Sequence, residues 1–310
     1  MIDLSGLLER TSRTFALSIP RLPEPTRRAT TLAYLLFRIA DTFEDAAAWP
    51  RAARIQALLD FDELLGDANL ALHGVVPPVA TVLAEAWTAA HPADHDGYAA
   101  LVAATPEVLA ALADLDVETR AAVIHHARRT AQGMRTFVER SDARGGLRLA
   151  SLPELRSYCY VVAGIVGELL TDLFVLHSPE AARHEIERAL RDNAVAFGEG
   201  LQLVNILKDA TDDARDGRAY LPADTPRSEV LSLARHDLHR AVRYVSALQV
   251  AGAPRGYVEF TALPVILAFA TLDVVAHEGP GAKLSRATVL EAVRALDERL
   301  DAGLPAVGAP

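Results

Sequence analysis

Two groups of acidic residues in this 310-residue sequence are spaced so that they could act together. In the first, Tyr34, Arg38, Asp41 and Asp45 lie three, four and seven residues apart, which puts them on one face of a helix, with Glu44 adding negative charge beside them. In the second, Gln202, Asn205, Asp209 and Asp213 repeat at the same spacing among Leu201, Leu203, Val204, Ile206 and Leu207. At about 100° per residue these four side chains fall within roughly 60° of one another. Like charges four residues apart cost a helix a little, and a hard divalent cation turns that cost into a gain. Two such stripes facing each other across a helical bundle would hold several Mg²⁺ ions around a diphosphate. The ions would neutralise the leaving group, and apolar walls would shelter the allylic carbocation left behind. A single D-x-x-x-D is more often a solvated helix face. For the pair, the spacing leaves the solvated face and the metal–diphosphate site both open.

The elements that must position these residues are helical. Alanine and leucine dominate and β-branched runs are scarce, so apolar residues recur at helical spacing nearly throughout. The pattern predicts helices over 4–18, 24–47, 51–65, 78–87, 98–104, 108–113, 117–139, 152–176, 179–213, 228–249, 257–277 and 285–302. Breakers rich in Pro and Gly separate them, as at Pro20–Pro25, Gly217–Pro226 and Gly252–Gly256. With neither a linker nor a 20–50 residue repeat in view, the expectation is one all-α domain over 1–310. A short flexible Ala/Gly/Pro tail is expected after about residue 304.

Composition narrows the function. Half the residues are hydrophobic, enough for a large core, and the formal net charge is −10. No basic stripe is present, which argues against nucleic acid. The single cysteine, Cys159, cannot form an intramolecular disulfide, and it fits a reducing, cytoplasmic compartment as a buried small residue. Residues 1–10 are too polar for a signal peptide. The apolar stretch Tyr158–Leu176 is broken by Glu168 and Asp172, and Thr261–Leu272 is too short to span, so no transmembrane segment is expected. The histidine pairs His125–His126 and His91/His95 lack a third ligand and read as surface or loop residues.

Four blocks together resemble the squalene/phytoene synthase family over roughly residues 5–290. They are Ser12-Arg13-Thr14-Phe15, Phe37-Arg38-Ile39-Ala40-Asp41-Thr42-Phe43-Glu44-Asp45, Tyr158-Cys159-x-x-Val162-Ala163-Gly164-x-Val166-Gly167, and Leu201 to Asp213 followed by Gly217-Arg218-Ala219-Tyr220-Leu221-Pro222. The resemblance implies an all-α isoprenoid synthase fold, a helical bundle around a central apolar cavity, and enzymes that join two prenyl diphosphates head to head. It implies Mg²⁺ on Asp41, Asp45, Asp209 and Asp213. It also implies contacts to the substrate from Ser12, Arg13, Phe15, Tyr34, Arg38, Gln202, Asn205, Lys208, Arg218 and Tyr220. Tyr158 matches the family tyrosine implicated in proton handling; its alternative is a core tyrosine with a hydrogen-bonded hydroxyl. Lys208 stands where many members have arginine and Asp212 where glutamate is frequent. Gly164 and Gly167 would either let helices approach closely or leave room for a prenyl chain.

Phe260–Leu272, Lys283-Leu284-Ser285-Arg286 and the Asp-Thr-x-Glu-Asp form at 41–45 resemble squalene synthases more than phytoene synthases. That implies two farnesyl diphosphates giving presqualene diphosphate and then squalene, with NADPH as the reductant. The other readings are a phytoene or dehydrosqualene synthase, a terpene cyclase acting on one prenyl diphosphate, and a non-catalytic helical interaction protein. A long hydrocarbon product would make peripheral membrane contact plausible. The sequence leaves the oligomeric state open.

Overall fold

The computed structural model describes residues 2–12, 15–142 and 146–308. Among these, the regular structure is helical, with no strand and one isolated parallel bridge between Arg148 and Ala219. The chain forms two compact units, residues 1–19 with 24–145, and residues 20–23 with 146–310.

The first unit holds α1 (Leu4–Thr11), α2 (Phe15–Ser18), α3 (Thr26–Glu44), α4 (Arg51–Leu65), α5 (Val79–Ala89), α6 (Asp96–Ala103), α7 (Thr105–Ala113) and α8 (Val117–Arg140). Its core is a layer of α3 and α4 against α8, with Leu32, Leu36, Phe43, Phe61 and Val123 fully buried. The predicted first helix over 4–18 is broken at Ser12, whose backbone is extended and whose Oγ accepts the N–H of Phe15 at 2.9 Å. A serine that offers its oxygen to the backbone competes with helix at that point. A π-helical turn at Asn69–His73 was not anticipated. It is pinned by the buried Arg120, which donates to the carbonyls of Ala71, Ala113 and Leu115.

The second unit holds α9 (Leu152–Cys159), α10 (Ile165–His177), α11 (His184–Arg215), α12 (Arg227–Ala251), α13 (Arg255–Glu278) and α14 (Arg286–Asp301). α9 starts on a side-chain cap: Ser151 Oγ accepts from the Glu154 N–H, and the Glu154 carboxylate reaches back to accept from the Ala150 N–H at 2.7 Å. A π-helical turn, Tyr160–Gly164, joins α9 to α10. The long α11 packs on α10, α12 and α13. It begins at His184 rather than at 179, because Ser178 Oγ caps a separate turn through the Ala181 N–H at 3.3 Å.

Both Leu152–His177 and Arg255–Glu278 are longer than the apolar stretches read from sequence, and by length and composition each could cross a membrane. About half of each apolar window, 50% and 56%, is buried within the protein, and α13 packs on α11, α12 and α14 as a core helix does. The expected flexible tail is instead tied down as far as Ala306. The Gln249 side chain donates to the Leu304 carbonyl and accepts from the Ala306 N–H, each at 2.8 Å, and Arg299 donates to the Pro305 carbonyl.

One buried polar cluster in this unit is under electrostatic tension. Arg156 of α9 donates to Glu199 of α11 at 3.2 Å, and Asp237 of α12, only 1% exposed, has an Oδ2 with no hydrogen-bond partner among the described residues. Burial raises both carboxyls above their usual range, against the pull of Arg156. A carboxyl raised in the folded state binds its proton more tightly there than in the unfolded chain. Its contribution to stability is therefore lost as pH rises from the unfolded value, about 3.9, through the folded one. Asp237→Asn, which removes the charge and keeps the shape, is expected to stabilise the protein by about 1 kcal/mol at pH 8. The gain should shrink towards pH 4. Urea denaturation of both proteins at the two pH values checks this, and equal midpoints at pH 8 would contradict it.

Candidate active site

In the first unit the described site residues are carried by α3, by Ser12 at the end of α1 and by Phe15 at the start of α2. Tyr34, Arg38 and Asp41 line one face of α3 as the spacing predicts, and Arg38 is ion-paired with Asp41. Asp45 is the C-cap residue, exposed, with its N–H donated to the Asp41 carbonyl at 2.9 Å. Glu44 does not join the stripe; it is 5% exposed and lies on the core side of the helix. The Tyr34 hydroxyl donates to the Thr11 carbonyl at 2.6 Å, and the Phe15 ring lies 5.6 Å from the Tyr34 ring. Those contacts hold Thr11 and Phe15 against α3. Arg13 lies outside the described residues.

In the second unit Gln202, Asn205, Lys208, Asp209 and Asp213 follow one another along α11. Lys208 Nζ bridges Asp209 at 3.2 Å and Asn205 at 3.4 Å, so the lysine is held within the stripe. Burial, with the carboxylates of Asp209, Asp216 and Asp212, pushes the Asp213 carboxyl up to about 6 against the pull of Arg218. Four carboxyls, Asp209, Asp212, Asp213 and Asp216, crowd this end around Lys208, Arg215 and Arg218, and a divalent cation relieves such crowding. Beyond it, the Arg218 N–H closes onto the Asp213 carbonyl at 2.8 Å. Ala219 then exchanges backbone hydrogen bonds with Leu147 and Leu149 at 2.7 and 3.1 Å. This short zipper delivers Tyr220 to Tyr158: their rings stack at 4.7 Å and the hydroxyls are 3.1 Å apart. Both tyrosines are buried, at 5% and 8% exposure. Cys159, next in sequence, is buried, and burial pushes its thiol well up, as expected for an unreactive core residue.

Among the described residues, no three His, Cys, Asp or Glu side chains form a closed metal cage. The donor set still fits Mg²⁺, which takes hard oxygen ligands from one or two carboxylates and fills the rest with water and substrate phosphate. His126 is buried rather than a surface residue, and His95 serves as the N-cap of α6. An apolar groove of about 340 Å³ lies between Trp49, Leu83 and Trp87 in the first unit, and none of its lining residues belongs to either stripe.

Sequence reasoning missed Tyr98. Its ring lies 5.3 Å from the Arg38 guanidinium, which also lies 5.7 Å from the Tyr34 ring. No periodic signal links a residue on α6 to a motif on α3. Gly167 is now assigned to helix packing, because a Cβ there would meet the Ala194 carbonyl oxygen at 1.9 Å.

Known proteins resemble the chain in sequence and in fold. The chain is 29% identical over 224 residues to squalene synthase of Mycosarcoma maydis, covering 72% of this chain and 35% of that protein. It is 29% identical over 211 residues to lycopaoctaene synthase of Botryococcus braunii, covering 68% and 41%. The chain therefore spans less than half the length of these two relatives. In structure it resembles TcSQS solved with the ligand E5700, with a TM-score of 0.72, 23% identity, and coverage of 94% of this chain and 84% of that one. It also resembles a dehydrosqualene synthase solved with a ligand, with a TM-score of 0.61, 18% identity, and coverage of 96% and 95%. The all-α squalene-synthase fold expected from the sequence is thus found. The squalene/phytoene synthase pattern matches residues 8–292, and the chain belongs to that family.

Proposed function

We propose that this protein is a Mg²⁺-dependent prenyltransferase that joins two farnesyl diphosphates head to head. The first step forms presqualene diphosphate and releases one diphosphate. In the second, NADPH delivers hydride and the second diphosphate leaves, giving squalene and NADP⁺. The observation that carries this reading is the pair of carboxylate stripes, Asp41 with Asp45 at the end of α3 and Asp209 with Asp213 at the end of α11. These four would hold the metal, whose charge would offset that of the departing diphosphate. Arg38, Lys208 and Arg218 supply fixed positive charge next to the carboxylates, and Ser12, Gln202 and Asn205 supply neutral hydrogen-bonding groups. Tyr158 offers a hydroxyl in a buried setting, so that a proton leaving the carbon skeleton would meet a phenol rather than bulk water. The choice of farnesyl chains rests on the squalene-type Phe260–Leu272 and Lys283–Arg286 segments. A cytoplasmic location with peripheral contact to a membrane, where a hydrocarbon product would partition, belongs to the same proposal.

The reading is tested by metal removal. Diphosphate release from farnesyl diphosphate is expected to stop on addition of EDTA and to return with Mg²⁺. Release that continues in EDTA would contradict the proposal.

A further inference from the structure

Arg38 is held by more than its own helix. Its Nη1 pairs with Asp41, while its Nε is buried and makes no hydrogen bond among the described residues. The guanidinium lies over two rings, Tyr34 at 5.7 Å and Tyr98 at 5.3 Å. Tyr34 comes one turn earlier on α3 and is fixed by its bond to the Thr11 carbonyl. Tyr98 comes from α6, which packs on α1 and α3, and its ring is stacked on His95 with centroids 4.5 Å apart and planes at 30°. The ring is therefore braced before Arg38 meets it.

The proposed reaction places two demands on this cluster. Asp41 must give an oxygen to Mg²⁺, which weakens its hold on Arg38, yet Arg38 must stay in place with N–H donors free for an anion. An ion pair to the metal ligand cannot meet both demands. A ring face can, because it attracts the cation through its quadrupole and occupies no N–H donor. We propose that Tyr98 is a positioning residue that keeps the Arg38 guanidinium in place when Asp41 turns to Mg²⁺, so that Arg38 can receive diphosphate. The assignment rests on the diphosphate reading above.

The test is titration calorimetry of the full chain with inorganic pyrophosphate in excess Mg²⁺. Y98F keeps the ring face and is expected to bind within about twofold of wild type. Y98L, with Y98M as a second variant should Y98L melt early, is expected to bind about 5–30-fold more weakly. In an R38M background, Y98L is expected to add no further loss, which a merely structural role for the ring would not produce. Undiminished binding by Y98L and Y98M, equal damage from Y98F, or an undiminished Y98L effect in R38M would overturn the assignment alone. A wild-type protein that ignores Mg²⁺-pyrophosphate would overturn the diphosphate reading and this assignment with it.

Discussion

Asp209→Asn is expected to lower turnover of farnesyl diphosphate by at least about 10²-fold while leaving the helical fold intact, and Asp41→Asn to do the same. The two effects separate cleanly in magnitude. Asp209 is partly exposed and pairs with Lys208 at 3.2 Å, a partly exposed ion pair of the kind worth about 0–1 kcal/mol to folding. Removing a metal-bound charge at the leaving group costs about 3 kcal/mol or more in the barrier, which is the 10²-fold loss. Asparagine keeps the size and one oxygen, so a large loss would report charge and not shape. Steady-state kinetics with circular dichroism on both variants decide it. Near-normal turnover in either would remove that residue from the proposed metal site.

Gly198→Ala is expected to destabilise the protein by about 3 kcal/mol or to prevent soluble expression. A Cβ at position 198 would lie 1.9 Å from the Ala163 carbonyl oxygen and 2.5 Å from its carbon, both backbone atoms of the π-helical turn that follows Tyr158. A flexible side chain could swing aside, but a helix backbone must move as a unit. Gly167 makes the reciprocal contact with Ala194, so the close approach of the α9–α10 segment to α11 depends on two missing side chains. Denaturation midpoints measure the cost. A wild-type midpoint for Gly198→Ala would mean that the helices do not pack this closely. Because α11 also carries Asp209 and Asp213, the glycines bear on function through the placement of that helix against Tyr158's own segment.

Much of this was legible in the sequence wherever a signal is local and periodic. The stripe at Gln202–Asp213 and that at Tyr34–Asp41 follow directly from three- and four-residue spacing, and α4 runs from Arg51 to Leu65 as the pattern predicts. Three things escaped because they depend on contacts far apart in the chain. Spacing alone could not say that Glu44 falls on the core side while its neighbour Asp45 ends the helix in solvent. Tyr98 is an ordinary tyrosine until α6 packs on α3 and brings its ring to Arg38. The tail after Leu304 reads as disordered by composition, yet a single side chain, Gln249, satisfies its backbone at two points. Ser12 shows the opposite error, a helical apolar pattern overridden by one local bond that the Phe15 N–H donates to the serine hydroxyl.

The most direct test of the central claim is the mass of the hydrocarbon made by the purified protein. With Mg²⁺ and farnesyl diphosphate, gas chromatography–mass spectrometry is expected to show a C30 product, with squalene appearing only when NADPH is added. Geranylgeranyl diphosphate, run in parallel, is expected to be the poorer substrate. A C15 or C20 cyclic product formed from one prenyl diphosphate, and indifferent to NADPH, would contradict head-to-head condensation and make the protein a cyclase built on the same helices.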